Sequence, residues 1–214
     1  MKLKNIILAD DHTFIRLGLV QILKDEFPDV TIAEVADGES LVKEVFRGNF
    51  DLVITDLDMH GRSGLDALEQ IKSVKPDLPV LVLSIYPEDL YAIRALKTGA
   101  SGYLNKNSAP EELVAAIHRV MEGKRYITPE IAEKLVDFNG GKQPHELLSN
   151  RELEVFKMIA SGQTLGEISE TLSLAPSTVS THRSRIMEKL QLHSNADLTR
   201  YAITHQIITD LGSH

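Results

Sequence analysis

The chain contains no cysteine, which excludes disulfide frameworks, thiolate metal sites and cysteine-based catalysis. No apolar run approaches the roughly 18 residues that span a bilayer, so no transmembrane helix is expected. Met1 to Asn5 leads straight into strand-like sequence and lacks the pattern of a signal peptide; the expected compartment is the cytoplasm. Positive charge is also scarce, with 23 lysines and arginines against 31 acidic residues, net −8. Neither half escapes this balance. Residues 1–125 carry 15 basic and 20 acidic side chains, net −5, and residues 126–214 carry 8 and 11, net −3. Any nucleic-acid contact must come from a local patch and not from a basic domain.

What is present falls into two regimes. Over the first 122 residues, apolar runs of strand length (Ile6–Ala9, Val30–Val35, Leu52–Thr55, Val80–Ser84, Gly102–Leu104) alternate with helical periodicities. One such periodicity runs through Phe14, Leu17, Leu19, Ile22, Leu23 and Phe27, another through Leu65, Leu68, Ile71 and Val74. Strongly apolar strands separated by helices imply an α/β domain, a five-stranded parallel sheet doubly wound by helices on both faces. Residues 123–146 read as a linker, with Asn139–Pro144 rich in Gly and polar residues and a short helical stretch, Thr128–Phe138, before it. From 147 to 214 the strands vanish. Ser149 with Glu152 and Thr164 with Glu167 have capping-box spacing, a third helix spans Pro176–Leu190, and a fourth starts near Ser194. Four short helices make a small all-α domain.

In a doubly wound sheet, ligands bind beyond the carboxyl ends of the strands. The first strand ends in Asp10–Asp11, the third in Asp56 with Asp58 two residues on, and the fourth in Ser84; Lys106 follows the fifth. Taken singly, each is more often a loop cap, a turn residue or a solvated lysine. Their joint placement is what carries information. Asp10, Asp11 and Asp56 together are electrostatically untenable unless a cation binds or one group is protonated, and hard oxygen donors suit Mg²⁺. A carboxylate beside Mg²⁺ is a nucleophile toward a phosphoryl group, with Lys106 placed to pair with one phosphoryl oxygen and Ser84 to donate to another.

The runs IILADDH, VITDLDM, VLVLSIY and GYLNK resemble the receiver domain of bacterial response regulators over about residues 4–122. The resemblance implies the flavodoxin-like strand order 2-1-3-4-5. It assigns Asp56 as phosphoacceptor, Asp10 and Asp11 as metal-binding acids, and the backbone carbonyl of Asp58 as a further metal ligand. Lys106 becomes the phosphate-pairing lysine, Ser84 the hydroxyl that moves toward phosphate, and Tyr103 the ring that reports the change. A sensor histidine kinase is the implied donor. One departure stands out: His60 occupies the place where the family usually has proline, which frees the loop and points to a changed phosphoryl lifetime.

In the third helix of the C-terminal part, Val179, His182, Ile186 and Leu190 form one inward stripe, while Ser177, Ser180, Thr181 and Ser184 occupy the other face. Small hydroxyl side chains let a helix approach a groove closely, and Arg183, Arg185 and Lys189 are placed to grip a phosphate backbone. A polar outer face of a protein-binding domain fits the pattern equally well. The run from Leu148 to Leu190 is similar to the LuxR-type helix-turn-helix of the NarL/FixJ family, which implies double-stranded DNA as partner. By position Thr164–Leu172 is the scaffold helix and Pro176–Leu190 the recognition helix. Relatives often dimerise through the last helix, here around Leu198–Ala202, so a homodimer favoured by phosphorylation is expected. Departures include Asn150 where proline is common, Ala175 where a capping Ser or Thr is common, and Ser180 and Ser184 where many relatives carry lysine.

Two other functions compete. Asp56–Leu57–Asp58 fits the D-x-D of haloacid-dehalogenase-like phosphatases, with Asp56 as nucleophile and Asp58 as general acid. That motif belongs on a first strand, whereas here it ends the third. The net −3 of the C-terminal half also leaves room for a helical domain that binds protein instead of DNA.

Overall fold

The five apolar runs form strands β1 Asn5–Ala9, β2 Thr31–Val35, β3 Leu52–Asp56, β4 Val80–Ser84 and β5 Gly102–Asn105. In the computed structural model, which describes residues 3–57, 59, 63–84, 90–108, 110–137, 143–205 and 207–208, they pair in parallel in the order β2-β1-β3-β4-β5. β3 and β4 are buried at every position, as parallel strands covered on both faces must be. Helices α1 Thr13–Glu26, α2 Gly38–Arg47, α3 Gly64–Val74, α4 Leu90–Thr98 and α5 Pro110–Met121 alternate with the strands. On one side of the sheet Ile6, Leu8, Leu52, Ile54, Leu81, Leu83 and Leu104 pack with Val20 and Leu23 of α1 and with Leu113 and Ile117 of α5. Burying each such side chain contributes about 2 kcal/mol.

The periodicity of α1 does not describe its packing. Phe14 is 90 % exposed and Leu17 is 56 % exposed, while Val20 and Leu23 are buried. At about 100° per residue, Phe14 and Leu23 lie on opposite sides of the helix, so only part of the apolar repeat can face the sheet.

The chain divides into two units, residues 1–138 and 139–214. Much of the stretch read as linker belongs to the first. Tyr126 bridges to Gly102, and helix α6, Pro129–Asp137, packs on α4 with Ile131 fully buried. Burial of that one isoleucine face is what the polar composition of the stretch concealed.

The second unit contains a 3₁₀ turn Pro144–Leu147 and helices α7 Asn150–Ala160, α8 Leu165–Thr171, α9 Pro176–Leu190 and α10 Asn195–Thr204. Both capping boxes form, Ser149 with Glu152 and Thr164 with Glu167. α9 begins at Ala175 without a side-chain cap and relies on Pro176 in its first turn. Phe156, Ile168, Val179, Ile186 and Leu198 are fully buried and form the centre of this unit.

Candidate functional site

Strand register assembles the site. Ala9 pairs with Thr55, so the next residues, Asp10 and Asp56, stand side by side at the carboxyl edge. Ser84 pairs with Asn105, and the Lys106 backbone N–H donates to the Ser84 carbonyl at 2.8 Å, which fixes where the lysine leaves β5. The Lys106 ammonium then lies 2.7 Å from Asp10 Oδ2 and 2.5 Å from Asp56 Oδ2. All three side chains are nearly inaccessible, at 1–4 % exposure. Burial opposes the lysine charge, but the neighbouring Asp56 charge and hydrogen bonds to Asp10 and Asp56 outweigh it and hold the ammonium above the ordinary lysine range.

Asp11 is largely buried beside this pair, and the His12 ring faces both acids, its Nδ1 2.7 Å from Asp11 Oδ1. One donor atom each from Asp10, Asp11, His12 and Asp56 lies within 4.8 Å of the others. Three carboxylates against one ammonium leave the edge two charges negative with His12 neutral. Hard oxygen donors packed this closely fit a small divalent cation. Ser84 and Tyr103 are both fully buried, and Tyr103 of β5 pairs in register with Val82 of β4. Asp58 and His60 lie outside the described residues.

Two residues near the functional surfaces were not singled out by sequence. His12 is the fourth donor, and its adjacency to the acidic pair was the available signal. Gly64 packs so tightly that a Cβ there would stand 1.9 Å from the Asp56 carbonyl oxygen, and its N–H donates to the Leu57 carbonyl at 2.9 Å. It pins the chain beyond Asp56 from beneath, and a glycine opening a helix after the N-cap Ser63 was its only trace. Glu152, read from sequence only as the capping-box partner of Ser149, also meets the Lys189 ammonium.

On α9, Ser177, Ser180, Thr181, Ser184 and Arg185 are exposed together. Thr181 Oγ1 donates to the Ser177 carbonyl at 2.9 Å and Ser184 Oγ to the Ser180 carbonyl at 3.1 Å, so these hydroxyls turn back on their own helix. Arg183 is half-buried, its Nε donating to Asn195 Oδ1 at 2.8 Å. Lys189 is engaged elsewhere: its ammonium lies 2.6 Å from Glu152 and 3.1 Å from the Leu147 carbonyl. It is therefore a tie between α9 and α7 more than a free cation, because Glu152 is a buried carboxylate that must be satisfied. Of the three cations, Arg185 alone has no ion pair or side-chain partner among the described residues. Leu198 and Ala202 are fully buried within their own unit, so the side of α10 open to a partner carries Arg200 and Ile203 instead.

Residues 6–118 match the response regulator receiver domain, and residues 146–202 match the bacterial regulatory proteins of the luxR family. The chain belongs to the response regulators of the NarL/FixJ family, with a receiver domain and a LuxR-type DNA-binding domain. It is 37 % identical over 205 residues to the response regulator UvrY of Escherichia coli K12, covering 94 % of each chain. The oxygen regulatory protein NreC of Staphylococcus carnosus is 35 % identical over 213 residues, 95 % of this chain and 98 % of that one. Among solved structures, RcsB from Salmonella enterica serovar Typhimurium, bound to a promoter in the presence of the phosphomimetic BeF₃⁻, matches at a TM-score of 0.58. That match has 27 % identity and covers 94 % of this chain and 98 % of the other.

Proposed function

We propose that Asp56 accepts a phosphoryl group from a phosphohistidine of a sensor histidine kinase, and that the modified receiver controls binding of α9 to double-stranded DNA. The observation that carries this is the buried bridge in which Lys106 holds Asp10 and Asp56 at the sheet edge. An Asp56 oxygen attacks phosphorus, a P–O bond forms as the donor P–N bond breaks, and the leaving imidazole takes up a proton. The new phosphoryl oxygens replace the Asp56 carboxylate as partner of the Lys106 ammonium. The Ser84 hydroxyl donates to another of them, and Tyr103 repacks in response. Asp10, Asp11, Asp56 and the backbone carbonyl of Asp58 would hold Mg²⁺, and the bound ion would neutralise the gathered negative charge. The chain acts as a phosphoacceptor able to shed its own phosphate, not as an enzyme on a separate substrate. A phosphatase of the D-x-D type needs its motif on the first strand, whereas Asp56 ends β3.

The hydroxyl face of α9 (Ser177, Ser180, Thr181, Ser184) enters the major groove, with Arg185 on a phosphate and Arg183 beside it. Phosphorylation favours a homodimer that presents two such helices to two half-sites. A relative's structure with two RcsB dimers on two DNAs supports that reading. Among the described residues no helix is long and apolar enough to cross a membrane, and the function requires the cytoplasm, where promoters are reached.

The test is intact-protein mass after incubation with acetyl phosphate and Mg²⁺. Wild type is expected to gain one phosphoryl group and Asp56→Asn none, with the circular dichroism of both unchanged. An adduct of equal yield on the variant overturns the assignment.

A further inference from the structure

We propose that the receiver unit carries a second ligand site, at the amino edge of its sheet, for a small organic cation with an apolar or aromatic body. The site is a cavity of about 360 Å³ between the end of α1, the turn into β2 and the end of α5. Leu3 leads into β1 and Val30 into β2, so the cavity lies at the end of the sheet opposite Asp56. No lining residue belongs to the carboxylate cluster, so the site does not depend on the reading of Asp56.

The cavity wall is apolar. Leu3, Phe27, Val30 and Met121 pack against the core of the unit yet are only partly buried, and their uncovered sides line the cavity. A ligand with an apolar body removes that surface from water. The rim sets the sign of the charge. Glu26 and Asp29 supply two carboxylates, and His118 is the one basic side chain in the lining. Glu26 meets His118 Nε2 at a loose 3.7 Å, with both side chains about half exposed. Asp29 has no ion pair or hydrogen bond among the described residues. α1 ends at Glu26 and α5 at Met121, so the carbonyl ends of two helices add partial negative charge at the same edge. The Phe27 ring, 5.3 Å from that of His118 and tilted by 54°, supplies an aromatic surface that attracts a cation. An anion would be repelled by all but the imidazole. A neutral molecule would gain the wall contacts and nothing from the rim.

The experiment follows the Met121 methyl signal of the full chain by ¹H–¹³C NMR during titration with phenethylammonium. Phenylethanol and phenylacetate serve as its neutral and anionic counterparts. Wild type is expected to show saturating shifts with the amine, to bind it about fivefold more tightly than the alcohol, and to bind the carboxylate most weakly. Combining Glu26→Gln with Asp29→Asn, both at exposed positions, is expected to erase the preference for the amine. Val30→Phe, which fills the cavity, is expected to abolish the shifts, whereas Asp56→Asn should bind the amine as wild type does. Equal binding of amine and alcohol, tighter binding of phenylacetate, or an amine preference that survives the double substitution overturns the proposal. So does a Met121 shift that follows protein concentration without ligand, which would place a second copy of the chain in the cavity.

Discussion

The two units use charge in opposite ways. In the receiver unit the working charges are interior groups: Asp10, Asp56 and Lys106 are each no more than 4 % exposed, and the ammonium bridges the two carboxylates. In the helical unit the groups proposed to meet DNA lie on the outside, and an ion pair between the buried Glu152 and the exposed Lys189 braces α7 against α9. A buried charge is costly unless paired, so the receiver site is bound up with the stability of its own fold. An exposed serine on α9 costs the fold almost nothing, so that surface is free to change with its target. Chemistry is conducted in the first unit, and recognition is displayed by the second.

The strongest way to break this contrast is to remove the interior cation. Lys106→Met leaves Asp10 and Asp56 side by side without their shared partner, and a loss of about 3 kcal/mol is expected in urea unfolding with chelator present. A midpoint equal to wild type's would show that the site contributes nothing to the fold. In the helical unit the matching change is Glu152→Gln, which keeps the shape but strips Lys189 of its charged partner and costs about 2 kcal/mol.

That second variant also has a pH signature. Burial pushes the Glu152 carboxyl up, but hydrogen bonds from Lys189 and the Ser149 backbone outweigh it and hold it below its ordinary 4.5. The folded state thus favours the ionised form, and its contribution is present above pH 4.5 and lost as pH falls through the lower folded value. Wild type and Glu152→Gln should differ at pH 7 and converge as pH falls well below 4.5 in parallel urea titrations; a constant gap would assign the difference to packing.

The smallest effect on the fold belongs to the exposed face. Arg185→Ala should change stability by less than about 0.5 kcal/mol, yet lower the salt slope of duplex binding by about one. A slope that does not move would take Arg185 off the phosphate backbone and revive a protein partner for this unit.

Much of this architecture was legible in one dimension. Five apolar runs at strand length, two capping boxes and a Pro176 helix start follow from local sterics and hydrogen bonding, which nearby residues settle among themselves. The acids at the strand ends were legible for a related reason: parallel strands all deliver their carboxyl ends to one edge, so Asp10, Asp56, Ser84 and Lys106 had to meet there. Other features had no local signature. Phe14 and Leu17 look like core residues because periodicity reports an apolar face but not which part of it a sheet will cover. The stretch around Ile131 looks like a connector because its one buried side chain is seen only once α4 lies beside it. Lys189 looks like a free cation until α7 brings Glu152 to within 2.6 Å. Sequence by itself determined the elements, their parallel order of chemistry and the domain types, since these rest on short-range periodicity and strand polarity. Tertiary structure alone decided which charges are partnered, which faces are covered and where the His12 ring points, because those depend on groups that only the folded chain brings together.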